Sequence, residues 1–356
     1  MPKLSRIVRL SAATAVLLLL GGCNWVVMNP MGDVAVQQRN LVVIATVLML
    51  LIVVPVLALV GLFAWRYRAS NQEARYEPDW DHSTELELVI WAAPLLIIIC
   101  LGAVTWTGTH LLDPYRPIER IAPGRKVAPN VKPLEVQVVS LDWKWLFIYP
   151  EYGIATVNEL AAPVDRPIMF RLTSSSVMNA FYVPTLAGMI YTMPSMETKL
   201  HAVINKAGDY EGFSSNYSGA GFSGMRFRFH GLSDADFAAW VARNKAAGGE
   251  LSRARYLQLE KPTEKVPVMR FATVAPGLFD AAVGQCVKPD TPCMADIMMK
   301  DAGMAGMSHM SPPAKEPESP LTTAAPGSPP PADPAHVDHR SHGTPSHAAP
   351  PKQPAL

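Results

Sequence analysis

The chain has 356 residues, 49% apolar and 17% charged, enough for about two domains at roughly 150 residues each. Its formal net charge of +1 supplies no basic field for nucleic acid, and no nucleic-acid partner is expected. These averages hide a division between very apolar early segments and a polar, proline-rich end.

At the start, Lys3, Arg6 and Arg9 precede an apolar run that ends in Leu20-Gly21-Gly22-Cys23. Charged start, apolar middle and small residues before a cysteine come in the order of a bacterial lipoprotein signal. Residues 1–22 are expected to be removed and the Cys23 thiol to be acylated; the alternative is a cysteine that falls by chance at the end of an ordinary signal. Two uncharged runs follow, 41–65 and 88–109, each longer than the roughly 20 residues that cross a bilayer as a helix. Trp65, Tyr67, Trp91 and Trp106 stand near their ends, where amphipathic rings favour the lipid interface. Pro55 and Pro94 fall inside and predict kinks or packing against neighbours.

Export of the Cys23 end would leave 23–40 in the periplasm, 66–87 in the cytoplasm and everything after the second span in the periplasm. The chain is then expected in the bacterial inner membrane, held by two spans and a lipid. Arginine placement decides less, because Arg66, Arg68 and Arg75 favour an inside loop while Arg116, Arg120, Arg125 and Lys126 follow the second span closely.

After a linker (110–133) the pattern turns to strands. LEVQVVSLDWKWLFIY, RPIMFRLTS, ETKLHAVI and MRFRFH are separated by Pro, Gly and Ser turns, and residues 225–230 alternate strictly. An all-β sandwich or small barrel over 134–250 is predicted. Ser233 reads as an N-cap, and Phe237, Trp240 and Val241 as one face of a closing helix that ends near Ala247. A C-terminal extension (251–301) contains Cys286 and Cys293 seven residues apart, a disulfide candidate in an oxidising compartment, with free thiols or a metal as alternatives. Residues 302–356 hold 13 of the 33 prolines among Ala, Ser and His, a composition that builds no core, and are expected to be disordered. Met304, Met307, His309 and Met310 offer soft ligands for Cu(I), though such residues in a flexible tail usually bind nothing specific.

Two membrane helices followed by a β domain with LDWKWLFIYPE, VMNAFYVPTLAGMIYTMPSM and FSSNYSGAGFSGM resemble subunit II of the haem-copper respiratory oxidases. The resemblance implies a two-helix transmembrane hairpin plus an all-β cupredoxin-like sandwich. In the cytochrome c branch the loop reads Cys-x3-Cys-x3-His-x2-Met, with a second His upstream, and binds a dinuclear copper centre. Here those positions fall on Ser214, Ser218, Phe222 and Met225, with Asn179 upstream, and Asn216 where the family uses a backbone oxygen. Only Met225 matches a ligand, and no Cys lies between Cys100 and Cys286, so a copper-thiolate site in this domain is excluded by composition. DWKW, YPEYGIATVNE, SVMN and YSGAGFSGM are similar instead to the quinol branch, subunit II of cytochrome bo-type ubiquinol oxidases, over roughly 40–245.

That resemblance implies no cofactor in this chain, with haems and copper in a partner subunit I, smaller membrane subunits as further partners, and ubiquinol as substrate of a proton-pumping complex. Neither uncharged run contains the His that ligates haem, which leaves this subunit non-catalytic. Glu87 stands where the family has the mouth of a proton path called the K channel. Read by itself, Thr84-Glu85-Leu86-Glu87 is a capping box. Trp143 and Trp145 sit near a docking region of the cytochrome c enzymes, but without copper beneath them packing is the expectation. His201 and His230 read as ordinary, partly buried strand histidines. Two other readings stand beside the leading one: a cytochrome c oxidase subunit II, and a membrane-anchored copper-binding lipoprotein that uses the Met/His tail.

Overall fold

The two uncharged runs lie within two long helices, α1 (Asp33–Arg66) and α2 (Thr84–Leu111), of 34 and 28 residues. At 1.5 Å per residue they reach about 51 and 42 Å, more than the roughly 30 Å of a bilayer core. Both are long and apolar enough to cross a membrane, and each continues unbroken through its proline. The structure, a computed structural model, describes residues 25–75 and 78–301. Leu57, Val60, Leu88 and Leu96 stand exposed on these helices, as lipid-facing side chains do. The helices meet at Gly108, where a Cβ would lie 2.8 Å from Leu41 Cδ1, so any larger residue would make the Leu41 side chain shift.

Both helices outrun the apolar segments that mark them. Hydropathy locates only the part of a helix in contact with lipid; the first continues through Asn40, Arg39 and Gln37 to Asp33 because that end packs on the β domain, and Ala35 is buried there. The second begins at Thr84 because Ser83 caps it, its Oγ accepting from the Leu86 amide.

The linker carries a small hairpin, β1 (Arg120–Ala122) with β2 (Arg125–Lys126). The sandwich follows as β3 (Leu134–Leu141), β4 (Lys144–Tyr149), β5 (Ile154–Val157), β6 (Glu159–Pro163), β7 (Ile168–Ser174) and β8 (Asn179–Tyr182). It continues with β9 (Ile190–Thr192), β10 (Thr198–Ala202), β11 (Gly208–Ser214) and β12 (Arg226–Leu232). After α3 (Asp234–Ala246) come β13 (Glu250–Leu251), α4 (Arg253–Glu260), β14 (Met269–Phe271), β15 (Thr273–Val274), α5 (Leu278–Val283) and α6 (Met294–Asp301). One sheet has the order β10-β7-β3-β4-β5-β14, the other β6-β12-β11-β8-β9. β3 runs parallel to β7, from Leu134↔Ile168 to Ser140↔Ser174, and β12 parallel to β6; the remaining neighbours in the sandwich are antiparallel. The architecture is the expected helical hairpin plus cupredoxin-like sandwich.

Aromatic rings fill the space between the sheets. Phe181 and Phe227 stack at 5.4 Å, and Trp145 meets both edge-on. Such pairs add about 0.5–1.5 kcal/mol each beyond area burial. Gly212 admits the Phe227 ring, whose nearest atom lies 2.1 Å from where a Cβ would be. The strict alternation of 226–230 is that of β12, with Phe227 and Phe229 inward. Ser233 caps α3 and its Phe237, Trp240 and Val241 are buried, as the sequence predicts.

The residues of 251–301 form a third layer. Tyr256, Leu259, Phe271, Leu278 and Phe279 pack on Val139, Leu146, Ile148 and Val157, on the outer face of the six-stranded sheet. This is why every residue of KWLFIY is buried: its strand has a core on each side.

A charged cluster ties the layers together. Glu159 receives two hydrogen bonds of 2.9 Å from Arg270 of β14 and lies 3.5 Å from His230 Nε2, while His230 Nδ1 bonds Asp209. Burial pushes the Glu159 carboxyl up, but hydrogen bonds from His230 and Arg270, with their charges, bring it down to about 2. The hydrogen bond to Glu159, against the opposing effect of burial and with help from Asp209, raises the His230 imidazole. The depressed Glu159 contributes stability above its unfolded value of about 4.5 that disappears as pH falls towards 2; the raised His230 contributes below about 6.5 and is lost as pH climbs through its folded value. Thermal unfolding of the full chain in detergent should therefore show this cluster's greatest contribution between about pH 4.5 and 6.5. His230→Gln should flatten the decline on the alkaline side, and an unchanged pH profile would contradict the assignment.

Candidate functional site

β3 and β4 are joined through the two-residue turn Asp142–Trp143, in which Trp143 is left-handed with φ 63°. That conformation ordinarily falls to Gly or Asn, since a bulky side chain strains it. The turn is pinned from beneath. Lys144 is 1% exposed, and its Nζ donates to the carbonyls of Asp142 (2.9 Å) and Lys261 (3.0 Å), with burial bringing its pKa down to about 8. The Asp142 carboxylate accepts from the Ser176 hydroxyl.

Held this way, the Trp143 indole reaches the 213–225 loop. Its Nε1 donates to the Ser218 carbonyl at 3.0 Å. Its ring covers Gly219, itself at φ 110°, and Gly221, where a Cβ would lie 2.5 Å from the indole. The loop closes on a short 3-10 turn at Phe222–Gly224 and returns to the sheet where the Ser214 amide donates to the Met225 carbonyl, 3.1 Å. Trp145, by contrast, is fully buried between the sheets, so both tryptophans pack.

Of the positions that the resemblance matches to copper ligands, the structure joins Asn179 and Ser214 directly. Ser214 Oγ donates to Asn179 Oδ1 at 3.1 Å and lies 3.2 Å from the Asn216 carbonyl, so that oxygen faces the site. Met225 is completely buried in the aromatic core. The Phe222 ring leans on exposed Tyr217, and the Ser218 hydroxyl is buried without a hydrogen-bond partner. An unpaired buried hydroxyl costs about 1–3 kcal/mol. Asn179 and Ser214 thus satisfy each other, Phe222 is apolar, and Ser218 alone is left wanting. Two hydroxyls, an amide and one thioether are hard or weak donors that do not fit a thiolate-bridged copper pair. Among the described residues no group of three His, Cys, Asp or Glu side chains is arranged to hold a metal ion.

Glu87 differs from its capping-box reading. Because Ser83, not Thr84, is the N-cap, Glu87 stands one position too late to bond back, and its carboxylate pairs with His82 Nδ1 at 2.7 Å, both side chains half exposed. The register of a cap follows the backbone angles of one residue, here Ser83 at φ −150° and ψ 104°, which composition alone does not fix. Cys286 and Cys293 are joined by a disulfide with Cα atoms 4.8 Å apart, at the edge of the third layer. His201 Nδ1 lies 3.1 Å from the Pro114 carbonyl, and His230 belongs to the charged cluster. Cys23, the signal 1–22 and the Met304, Met307, His309 and Met310 group lie outside the described residues.

One contact had no signal in the sequence. Asp33 is 2% exposed and receives Arg120 Nε and Nη2 at 2.8 and 3.2 Å and Gln37 at 2.8 Å. Beside it Met31 and Gly32 donate to the Thr185 carbonyl, and a Cβ on Gly32 would lie 2.4 Å from the Val203 carbonyl. This joint fixes the end of the helical hairpin to the β domain.

The family profile described as COX Aromatic Rich Motif matches residues 245–290, which lie in the third layer. The chain is 50% identical over 267 residues to the cytochrome bo(3) ubiquinol oxidase subunit 2 of Pseudomonas putida, covering 75% of this chain and 82% of that one. It is 52% identical over 262 residues to its Pseudomonas aeruginosa counterpart (74% and 76%), and 44% over 311 residues to ubiquinol oxidase subunit 2 of Acetobacter aceti (84% and 98%). Among solved structures, the periplasmic domain of subunit II of cytochrome oxidase (CoxB) of Bradyrhizobium japonicum aligns at 22% identity with a TM-score of 0.31, over 33% of this chain and 96% of that one.

If the loop keeps its frame, restoring ligands should restore a site. Asn179→His, Ser214→Cys, Ser218→Cys and Phe222→His together, around Met225 and the Asn216 carbonyl, should bind copper with a mixed-valence paramagnetic resonance signal that the unsubstituted chain lacks. A folded fourfold variant without that signal would show that the loop positions no longer converge.

Proposed function

The chain belongs to the subunit 2 family of ubiquinol oxidases, and from that membership we propose that it is the non-catalytic subunit of a proton-pumping complex passing electrons from ubiquinol to oxygen. The haems and copper of that complex belong to subunit I, against which the helical hairpin packs together with smaller membrane subunits. The observation that carries this reading is a preserved loop at Phe213–Met225 whose side chains suit no copper pair, which removes the route by which a cytochrome c-oxidising enzyme takes up electrons. Within the complex this chain therefore holds no cofactor, and its β domain serves assembly rather than electron uptake.

The chain is exported and anchored in the bacterial inner membrane. The signal 1–22 is cleaved, Cys23 carries lipid, the β domain and both helix ends joined to it lie in the periplasm, and Ser83 and Glu87 lie at the cytoplasmic face. Glu87 is proposed as the mouth of a proton path. Its side chain is half exposed and paired with His82, so its place is not explained by capping.

Two outcomes follow from this proposal. A tagged chain purified from aerobically grown cells should bring a haem-containing complex that oxidises ubiquinol and leaves reduced cytochrome c untouched; oxidation of cytochrome c, or isolation free of haem, would overturn the reading. Glu87→Gln should slow steady-state oxygen consumption with the complex intact, whereas Ser83→Ala should weaken the helix start by about 0.5–2 kcal/mol and spare turnover. Full turnover in Glu87→Gln would leave Glu87 without a part in proton uptake.

A further inference from the structure

A cavity of about 660 Å³ opens where the helical hairpin meets the β domain. Its walls come from residues 33–38 at the start of α1, 111–120 beyond the end of α2, and the β1–β2 hairpin, with Leu200 and His201 behind. Three features of it go unused by the proposed function: its depth, its apolar floor and its basic rim.

Depth follows from helix geometry. Gln38 precedes the first apolar run by three residues and Leu111 follows the second by two, so both stand about 3–5 Å above the hydrocarbon boundary. The headgroup layer on each side of a bilayer is roughly 5–7 Å thick, which sets this end of the cavity at headgroup level. Leu111 and Leu112, at the end of α2 nearest the membrane, give it an apolar floor, and Val34 and Ile118 line it farther up. The rim carries Arg116, Arg120, Arg125 and Lys126. Three of these hold carboxylates: Arg120 holds Asp33, Arg116 holds Glu119 and Arg125 holds Asp165, yet each of the three arginines remains about 40–55% exposed. Lys126 is exposed and makes no salt bridge among the described residues, though its charge helps hold the Glu119 carboxyl down. Arg120 spends only Nε and Nη2 on Asp33, which leaves Nη1 to a second acceptor.

We propose that this cavity binds the headgroup of one anionic phospholipid of the periplasmic leaflet, its phosphate between Lys126 and the outward side of Arg120, its acyl chains leaving over Leu111 and Leu112. Arginine and lysine are the side chains that recognise phosphate oxygens, and basic residues at a membrane face draw anionic lipid. An apolar floor beneath a basic rim suits a ligand with a charged head and hydrocarbon tails; free phosphate would leave that floor uncovered. The inference rests on the orientation proposed above, since a β domain on the cytoplasmic side would turn the cavity to the other leaflet. The bound lipid would brace the same joint that Asp33 and Gly32 fasten.

The test uses the whole oxidase complex, delipidated in detergent and returned to nanodiscs of phosphatidylglycerol in phosphatidylethanolamine, with tightly retained lipid measured by mass spectrometry. Lys126→Glu reverses an exposed, unpaired charge and should leave assembly and ubiquinol oxidation intact while weakening phosphatidylglycerol retention roughly tenfold or more. Lys126→Arg should retain it as the natural chain does. Inorganic phosphate at high concentration should fail to displace the lipid. Equal retention in natural and Lys126→Glu complexes would overturn the proposal, as would displacement by phosphate alone. Because ubiquinol turnover is read separately, a complex that binds lipid but does not oxidise ubiquinol would count against the proposed function and leave the lipid site standing.

Discussion

The indole of Trp143, laid over Gly219 and Gly221 with its N–H on the Ser218 carbonyl, is the contact on which the loop depends. A loop of this length without metal ligands has no internal reason to keep one shape, because ordering each residue costs about 1–2 kcal/mol of backbone entropy. The clasp offsets part of that cost with ring burial and a hydrogen bond. It also carries a cost of its own, since a tryptophan in the left-handed region is strained by about 1–3 kcal/mol. The strain persists because Lys144 and Ser176 hold Asp142 from two directions, so the turn cannot relax without breaking both hydrogen bonds. The order runs from a buried lysine, to a strained turn, to a ring, to a loop.

The second constraint acts at the membrane. A β domain joined to two helices by a flexible linker would wander over the surface, but here the start of α1 is part of the domain. Asp33 is buried against Arg120, and Gly32 lies so close to the Val203 and Leu186 carbonyls that any side chain would collide. Asn205 extends the joint, its side-chain amide donating to the Ile121 carbonyl and to Asp165. Through this joint the helices set the height and orientation of the loop face. Leu186 and Ala187, buried beside the joint, continue directly into the core between the sheets.

What the sequence reveals here is what depends on near neighbours or on composition. Alternation over 226–230 marks a half-buried strand, Ser233 marks a helix start, and the identities at 179, 214, 218 and 222 exclude a thiolate copper site before any fold is known. What it conceals depends on distant partners. Asp33 and Arg120 are 87 positions apart and Trp143 and Ser218 are 75, so neither contact leaves a local pattern. The third layer lay between these extremes: the unbroken run Trp145-Leu146-Phe147-Ile148-Tyr149 is what a strand covered on both faces looks like, and it announces a partner for the outer face without saying that 251–301 supplies it. The cap at Ser83 was one residue from its expected place, a distance that a shared preference of Ser and Thr for the same role leaves open.

Amide hydrogen exchange over residues 214–225, in the complex freed of adventitious copper by chelation, tests most directly whether protein alone holds this loop. The account predicts that the amides of Ser214, Phe222 and Met225, each hydrogen-bonded within the loop or to its closing strand, exchange slowly in the natural chain and lose that protection in Trp143→Ala. Fast exchange throughout the loop of the natural, copper-free complex would contradict it.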